Sequence, residues 1–148
     1  MKINIHRKNA EIAIPEYQTP GAVAFDLTAN ETVTIEPWAI ALVPTGLVVA
    51  TPPGHMLMLA ARSSLPLKKG LMVANGVGII DQDYCGPNDE LKIQLLNITK
   101  SPITVEKGER IAQGMFVKIE KAEWEEGLTT QDSRGGFGSS GGYKHPTT

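Results

Sequence analysis

The sequence predicts an all-β chain folded as a sandwich or barrel with Greek-key or jelly-roll connections and ending in a flexible glycine-rich tail. Three observations carry that expectation. Apolar residues recur two apart in several short runs, the spacing of a strand with one buried face. Gly, Pro and Asn punctuate the chain roughly every ten residues, as in sandwiches and barrels with Greek-key or jelly-roll connections. No apolar stripe with helical spacing continues for three turns.

The runs appear in order along the chain. "KINIH" sets Ile3 and Ile5 against polar neighbours, and "TVTIEP" puts Val33 and Ile35 on one face. "LKIQLLNIT" aligns Leu91, Ile93 and Leu95, and "MFVKIE" aligns Met115, Val117 and Ile119. Between them stand Pro44 with Gly46, "TPPG" at Thr51–Gly54, Gly70, "NGVG" at Asn75–Gly78, "CGP" at Cys85–Pro87, and Gly108. Such residues punctuate structure because Gly reaches positive φ and Pro removes a backbone donor. "SSLPLKKGL" is the one place for a short helix. Apolar content collapses near Gly127, so residues 1–126 read as one β domain and 127–148 as an arm. Six glycines and seven Ser/Thr in that arm make ordering costly, so it is expected to order only on a ligand.

Composition narrows the function classes. At 148 residues the chain can remove roughly two-thirds of its unfolded surface from water as a single domain. With 14 Lys+Arg against 16 Asp+Glu there is no basic excess for broad nucleic-acid binding. The lone Cys85 has no internal disulfide partner, which suits a reducing compartment. The start "MKINIHRKNA" lacks the apolar core of a signal peptide, and no run is long enough to cross a membrane, so a cytoplasmic location is expected. His6, His55 and His145 are scattered without zinc-ligand spacing, and no phosphate-loop or nucleophile-elbow motif occurs.

Three segments carry chemistry. "AARSSLPLKKG" places Arg62, Ser63 and Ser64 just after the apolar run "HMLMLA". A planar cation and two hydroxyls at a strand end suit phosphate oxygens, and they equally suit a Ser-based turn with Arg62 in a structural ion pair. In "NGVGIIDQDYCGP", Asn75–Gly76 signals a tight turn. Asp81 and Asp83 would share one face of an extended segment, with Tyr84 on the other. Paired carboxylates can orient water or metal-bound phosphate, or they can simply close a hairpin. Cys85 reads as a small buried residue. The third segment, "SRGGFGSSGG", offers Arg134 and the Phe137 ring within mobile glycines, which suits a lid on a base and a phosphate. Together these supply phosphate donors, a carboxylate, an aromatic wall and a flap, the parts of a nucleotide site.

In this order the residues resemble the trimeric deoxyuridine triphosphatase (dUTPase) family. Five motifs carry the resemblance across nearly the whole chain: "GAVAFDL" at Gly21–Leu27, "ARSSLPLKKGL" at Ala61–Leu71, "NGVGIIDQDYCG" at Asn75–Gly86, "KGERIAQGMF" at Lys107–Phe116 and "RGGFGSSG" at Arg134–Gly141. The resemblance implies a jelly-roll subunit in a homotrimer with active sites at subunit interfaces. It implies Mg²⁺-dependent cleavage of dUTP to dUMP and pyrophosphate, which keeps uracil out of DNA and supplies dUMP for dTMP synthesis. By the same resemblance Asp81 activates the water that attacks the α-phosphorus. Asn75 with the backbone at Ile79 and Ile80 cradles uracil in a hairpin, and Tyr84 packs under the deoxyribose. Lys92 meets the base through its backbone. Arg62, Ser63 and Ser64 hold phosphates with Gln113, and Asp26 binds a water of the metal shell. Phe137 and Gly138 cover the uracil while Arg134 reaches the γ-phosphate from another subunit.

The sequence departs from the family pattern twice. Members commonly read R-G-x-G-G-F in the tail, whereas here Arg134 and Phe137 are only three apart, and "PNDE" at Pro87–Glu90 lengthens the third motif. Three other readings compete with a dUTPase. A dCTP deaminase would share the fold and an R-S-S segment, but its members usually carry Phe where Tyr84 stands. A catalytically silent nucleotide-binding module would share the scaffold, and an RNA-binding tail needs more than one RGG.

Overall fold

The computed structural model describes residues 1–128, 131–136 and 140–142. Eleven short strands follow one another: β1 (Ile5–Arg7), β2 (Phe25–Thr28), β3 (Val33–Ile35), β4 (Ile40–Pro44), β5 (Leu47–Val49), β6 (His55–Ala60), β7 (Leu71–Val73), β8 (Val77–Ile80), β9 (Lys92–Asn97), β10 (Ile103–Val105) and β11 (Arg110–Lys118). One π-helical turn, Leu65–Lys69, interrupts them where a short helix was expected. All ladders are antiparallel. A four-stranded sheet runs β2-β11-β6-β8, a three-stranded sheet runs β4-β9-β7, and β1-β5 and β3-β10 form separate pairs. Neighbours in space are mostly distant in sequence, so the chain crosses repeatedly between sheets, as a jelly-roll sandwich requires.

The alternation seen in the sequence is the alternation of burial. Ile93 and Leu95 in β9 and Ile35 in β3 are buried, and Leu91 joins them just before β9. They meet Phe25, Leu27, Leu57, Leu59 and Ile111 of the opposing sheet in one continuous apolar core. Side chains from both inner faces fill the space between the sheets, the arrangement that gives a sandwich its stability. β11 differs from the expected pattern. It begins at Arg110, and its register against β2 shifts between Arg110 and Ala112. That bulge buries Ile111 and Ala112 in succession, which strict alternation would forbid. Phe116 rather than Met115 or Val117 is the neighbour that packs on the core.

Two connections also differ from the expectation. β7 pairs with β9, while β8 pairs with β6, so Asn75–Gly76 is a corner between two sheets and not the tip of a hairpin. The turn chemistry was legible: Gly76 has φ 72°, a conformation that favours glycine. Turn residues do not say which sheet each arm will join. Residues 81–91 likewise cross from the four-stranded to the three-stranded sheet, so Pro87–Glu90 lengthens an inter-sheet loop. No helix among the described residues is long and apolar enough to cross a membrane.

Candidate active site

β6 organises the site, because expected site residues collect at both of its ends. At the Ala60 end, Gln113 of β11 stands opposite Ala60 on one side and Asp26 of β2 on the other. The Gln113 side-chain amide donates to the Ala61 carbonyl at 3.0 Å, fixing the chain as it leaves the strand. Arg62 follows, and its Nε lies 3.0 Å from Asp26 Oδ1. Arg110, at the start of β11, donates to Asp26 Oδ2 at 3.0 Å and to Gln18 Oε1 at 2.9 Å. One carboxylate thus orients two guanidinium groups. The cluster keeps one net positive charge, and both cations are partly open to water. Planar forks held in this way suit phosphate oxygens.

Arg62 therefore satisfies both readings of its motif at once: it is ion-paired, and it remains accessible to a ligand. Ser63 is exposed, and Ser64 leads into the helical turn without a side-chain capping bond, so its hydroxyl is not spent on the helix. The turn itself is tied down by Lys69, whose Nζ reaches both oxygens of Glu109 at 2.7 and 2.6 Å. Arg110 and Gln18 are the residues that sequence reasoning missed here. A single arginine at a strand start gives no signal until the β2–β11 pairing brings it to Asp26.

Around the corner at Asn75 lies a narrow cleft. Asn75 and Gly78 line it together with Lys92 and Gln94 of the other sheet, over a floor that includes Leu59 and Ala112. Gly78 matters because a Cβ there would sit 3.1 Å from Leu59 Cβ, so glycine lets the backbone come down on β6. Asn75 and Lys92 are thus brought together. Ile79 is exposed on the opposite face of β8, and Ile80 leans on the core, so these two could meet a ligand only through their backbone or from outside.

At the other end of β6, Asp81 follows directly on Ile80, which pairs with Leu57. The segment is not extended as expected. It bends at Gln82–Asp83, with the Tyr84 N–H turned back towards the Asp81 carbonyl at 3.4 Å. Asp81 and Asp83 line a polar cleft of about 350 Å³ with His55, Gln82 and Lys121. No ion pair involves Asp81 among the described residues, and its side chain faces water. Tyr84 is half-exposed, and its hydroxyl donates to the Glu90 carbonyl at 3.2 Å. Cys85 is exposed, not buried as its size suggested.

Register fixes the distance between the two ends. Met56 to Ala60 spans four residues at about 3.3 Å each, so Asp81 and the arginine cluster are separated by more than about 13 Å along one chain. The expected partners Arg62, Asp26 and Gln113 come together, whereas Asp81 and Tyr84 stay apart from them. Arg134 is exposed, while Phe137 and Gly138 lie outside the described residues. Among the described residues no three His, Cys, Asp or Glu side chains gather as a metal cage.

Comparison with known proteins agrees with this fold and motif order. Residues 10–141 match the dUTPase family profile. The deoxyuridine 5'-triphosphate nucleotidohydrolase of Lactococcus lactis is 42% identical, covering 90% of this chain and 91% of its own. Its counterpart from Helicobacter pylori is 41% identical, covering 95% and 97%. The crystal structure of dUTPase from Streptococcus mutans superposes with a TM-score of 0.77 at 35% identity, over 84% of this chain and all of that one. The dUTPase of Staphylococcus bacteriophage 80alpha with dUPNHPP superposes with a TM-score of 0.84 at 26% identity, over 95% and 98%. Five motifs in order, two antiparallel sheets joined at a glycine corner and these relatives lead to one conclusion: the chain belongs to the dUTPase family.

Proposed function

We propose that the two ends of β6 are the two halves of a dUTP-hydrolysing site, and that each working site takes one half from each of two chains. The chain is a dUTP nucleotidohydrolase, a hydrolase that converts dUTP to dUMP with release of pyrophosphate and uses Mg²⁺. The observation that carries the shared-site reading is the separation along β6. A general base must lie within hydrogen-bond reach of its water. Asp81 lies at the Met56 end, and Arg62 and Arg110 lie at the Ala60 end. A homotrimer, in which one chain presents Asp81 and Tyr84 to the cluster of its neighbour, satisfies both requirements.

In this reading uracil enters the corner at Asn75, where the amide side chain and the backbone from Gly78 to Ile80 offer donors and acceptors to its edge, with Lys92 alongside. A pocket that hydrogen-bonds a base edge rejects the wrong edge strongly, because buried polar groups would lose their partners. Tyr84 lies under the deoxyribose and leaves no space for a 2′-hydroxyl. Arg62, Arg110, Ser63, Ser64 and Gln113 grip the phosphate chain and offset the charge that spreads onto its oxygens.

Water held by Asp81 attacks the α-phosphorus. Its proton passes to the Asp81 carboxylate, the bond from the α-phosphorus to the bridging oxygen breaks, and the electron pair leaves with pyrophosphate. Asp26 would meet Mg²⁺ through a water rather than directly, because both of its oxygens already hold guanidinium groups. When bound, the ion neutralises part of the triphosphate charge.

Residues 127–148 act as an arm that closes this site. Phe137 and Gly138 cover the base, and Arg134 approaches the γ-phosphate. The described part of the arm is exposed and forms no strand, which suits a segment that orders on substrate. A cytoplasmic location fits an enzyme of nucleotide supply with a single thiol. Pyrophosphate release measured with dUTP, dCTP, dTTP and UTP, with and without Mg²⁺, tests the activity. Rapid release from dUTP alone is expected. Ammonia from dCTP would favour a deaminase, and tight binding without turnover a silent module.

A further inference from the structure

Glu90 ends the lengthened loop of the third motif, and it is buried although it carries a charge. Its Oε1 accepts from the Gly46 N–H at 2.7 Å, and its Oε2 accepts from Lys8 Nζ at 2.7 Å. Lys8 is held in turn by its own N–H, which donates to the Gly46 carbonyl at 2.9 Å. The next residue continues the anchoring, because the Leu91 N–H donates to the Leu47 carbonyl at 2.8 Å. Upstream, Asp89 closes the loop on itself by accepting from the Gly86 N–H at 2.7 Å. Among the described residues, Tyr84 of the proposed substrate pocket is tied to this assembly, its hydroxyl donating to the Glu90 carbonyl. Only the carboxylate side of this pair is buried, since the Lys8 side chain is 41% exposed, but a buried carboxylate fixes geometry when both of its oxygens find partners. This one joins the chain's beginning, the β4–β5 turn and the loop under the sugar.

We propose that the Lys8–Glu90 ion pair is a positioning device that sets the height of the Tyr84 ring, and so governs the choice of deoxyribose over ribose. The inference rests on the reading of Tyr84 as the floor of the sugar pocket. Neither Lys8 nor Glu90 touches substrate. Both act through the loop, so their effect falls on discrimination and KM rather than on the bond-breaking step.

The experiment is the ratio of kcat/KM for dUTP to that for UTP, measured on the full-length protein. Lys8→Met leaves Glu90 charged and uncompensated, so the loop shifts and the ratio falls on the order of tenfold, with kcat for dUTP preserved. Tyr84→Phe keeps the ring and removes the latch to Glu90, so it lowers the ratio similarly. The two combined lower it no further, since they cut the same connection. Lys8→Met with Glu90→Gln removes the stranded charge, keeps the bond from Gly46 and restores most of the ratio. If Lys8→Met does not fold, Tyr84→Phe decides. A wild-type ratio in Tyr84→Phe, or additive losses in the double variant, overturns the positioning role. A wild-type ratio in Tyr84→Ala rejects instead the sugar-floor reading on which it rests.

Discussion

The two ends of β6 differ in how much of their chemistry one chain completes. At the Ala60 end the clustered charges are partnered: Asp26 orients Arg62 and Arg110, and Gln113 pins the departing backbone. At the Met56 end Asp81 faces open water beside Asp83. In the proposed reading the first is a preorganised phosphate cradle, in which the protein has fixed its dipoles before substrate arrives. The second is a carboxylate without a target. The difference teaches that binding charge can be built within one chain, whereas a proton acceptor this far from the cations needs, on the shared-site proposal, another copy to bring a phosphorus within reach.

Removing the acceptor should produce the largest effect. Asp81→Asn should keep nucleotide affinity, read by calorimetry, while kcat falls by about 10³-fold or more. Near-normal turnover would move the base elsewhere. Mixing tests the division of labour directly. Asp81→Asn and Arg62→Met, each close to inactive alone, should regain activity when unfolded together and refolded, because about a quarter of the sites in random trimers then pair two intact halves. No recovery would mean that each chain completes its own site. Deleting residues 133–148 should leave a folded oligomer, by scattering and circular dichroism, with kcat/KM reduced on the order of 10²-fold. An unfolded product would make the arm structural. The smallest effect belongs to the sandwich itself. A Cβ at Gly114 would lie 2.7 Å from the Phe25 ring, so Gly114→Ala should lower stability by about 1–3 kcal/mol in chemical denaturation.

Most of the strand-forming segments could be read from sequence because each buries one face, and Ile93, Leu95 and Ile35 lie inside as their spacing required. Pairing could not be read. Asn75–Gly76 announced a turn, but whether β7 and β8 join each other or different sheets depends on contacts far away in the chain. The bulge in β11 escaped for a related reason: two successive buried residues look like noise in a two-residue period until β2 is in place. At the site, motif order identified Arg62, Gln113 and Asp26 as a group, and the fold brings them together. Arg110 was invisible because its meaning comes from the carboxylate it meets. Glu90 read only as part of a lengthened loop, and the packing of Lys8 and Gly46 against it makes it a buried anchor.

The corner at Asn75 has a consequence beyond its own residues. One wall of the cleft, Leu59, Ala60 and Gly78, belongs to the four-stranded sheet, and the other, Val73, Lys92, Ile93 and Gln94, to the three-stranded sheet. On the proposed reading the opening for the pyrimidine is therefore a gap between two layers, as in a pair of jaws hinged on hydrocarbon. Whatever thickens or thins the filling, even a methyl group at Val43, the ladder partner of the cleft-lining Ile93, would widen or narrow that grip, so selectivity for the ring would be a property of the whole interior.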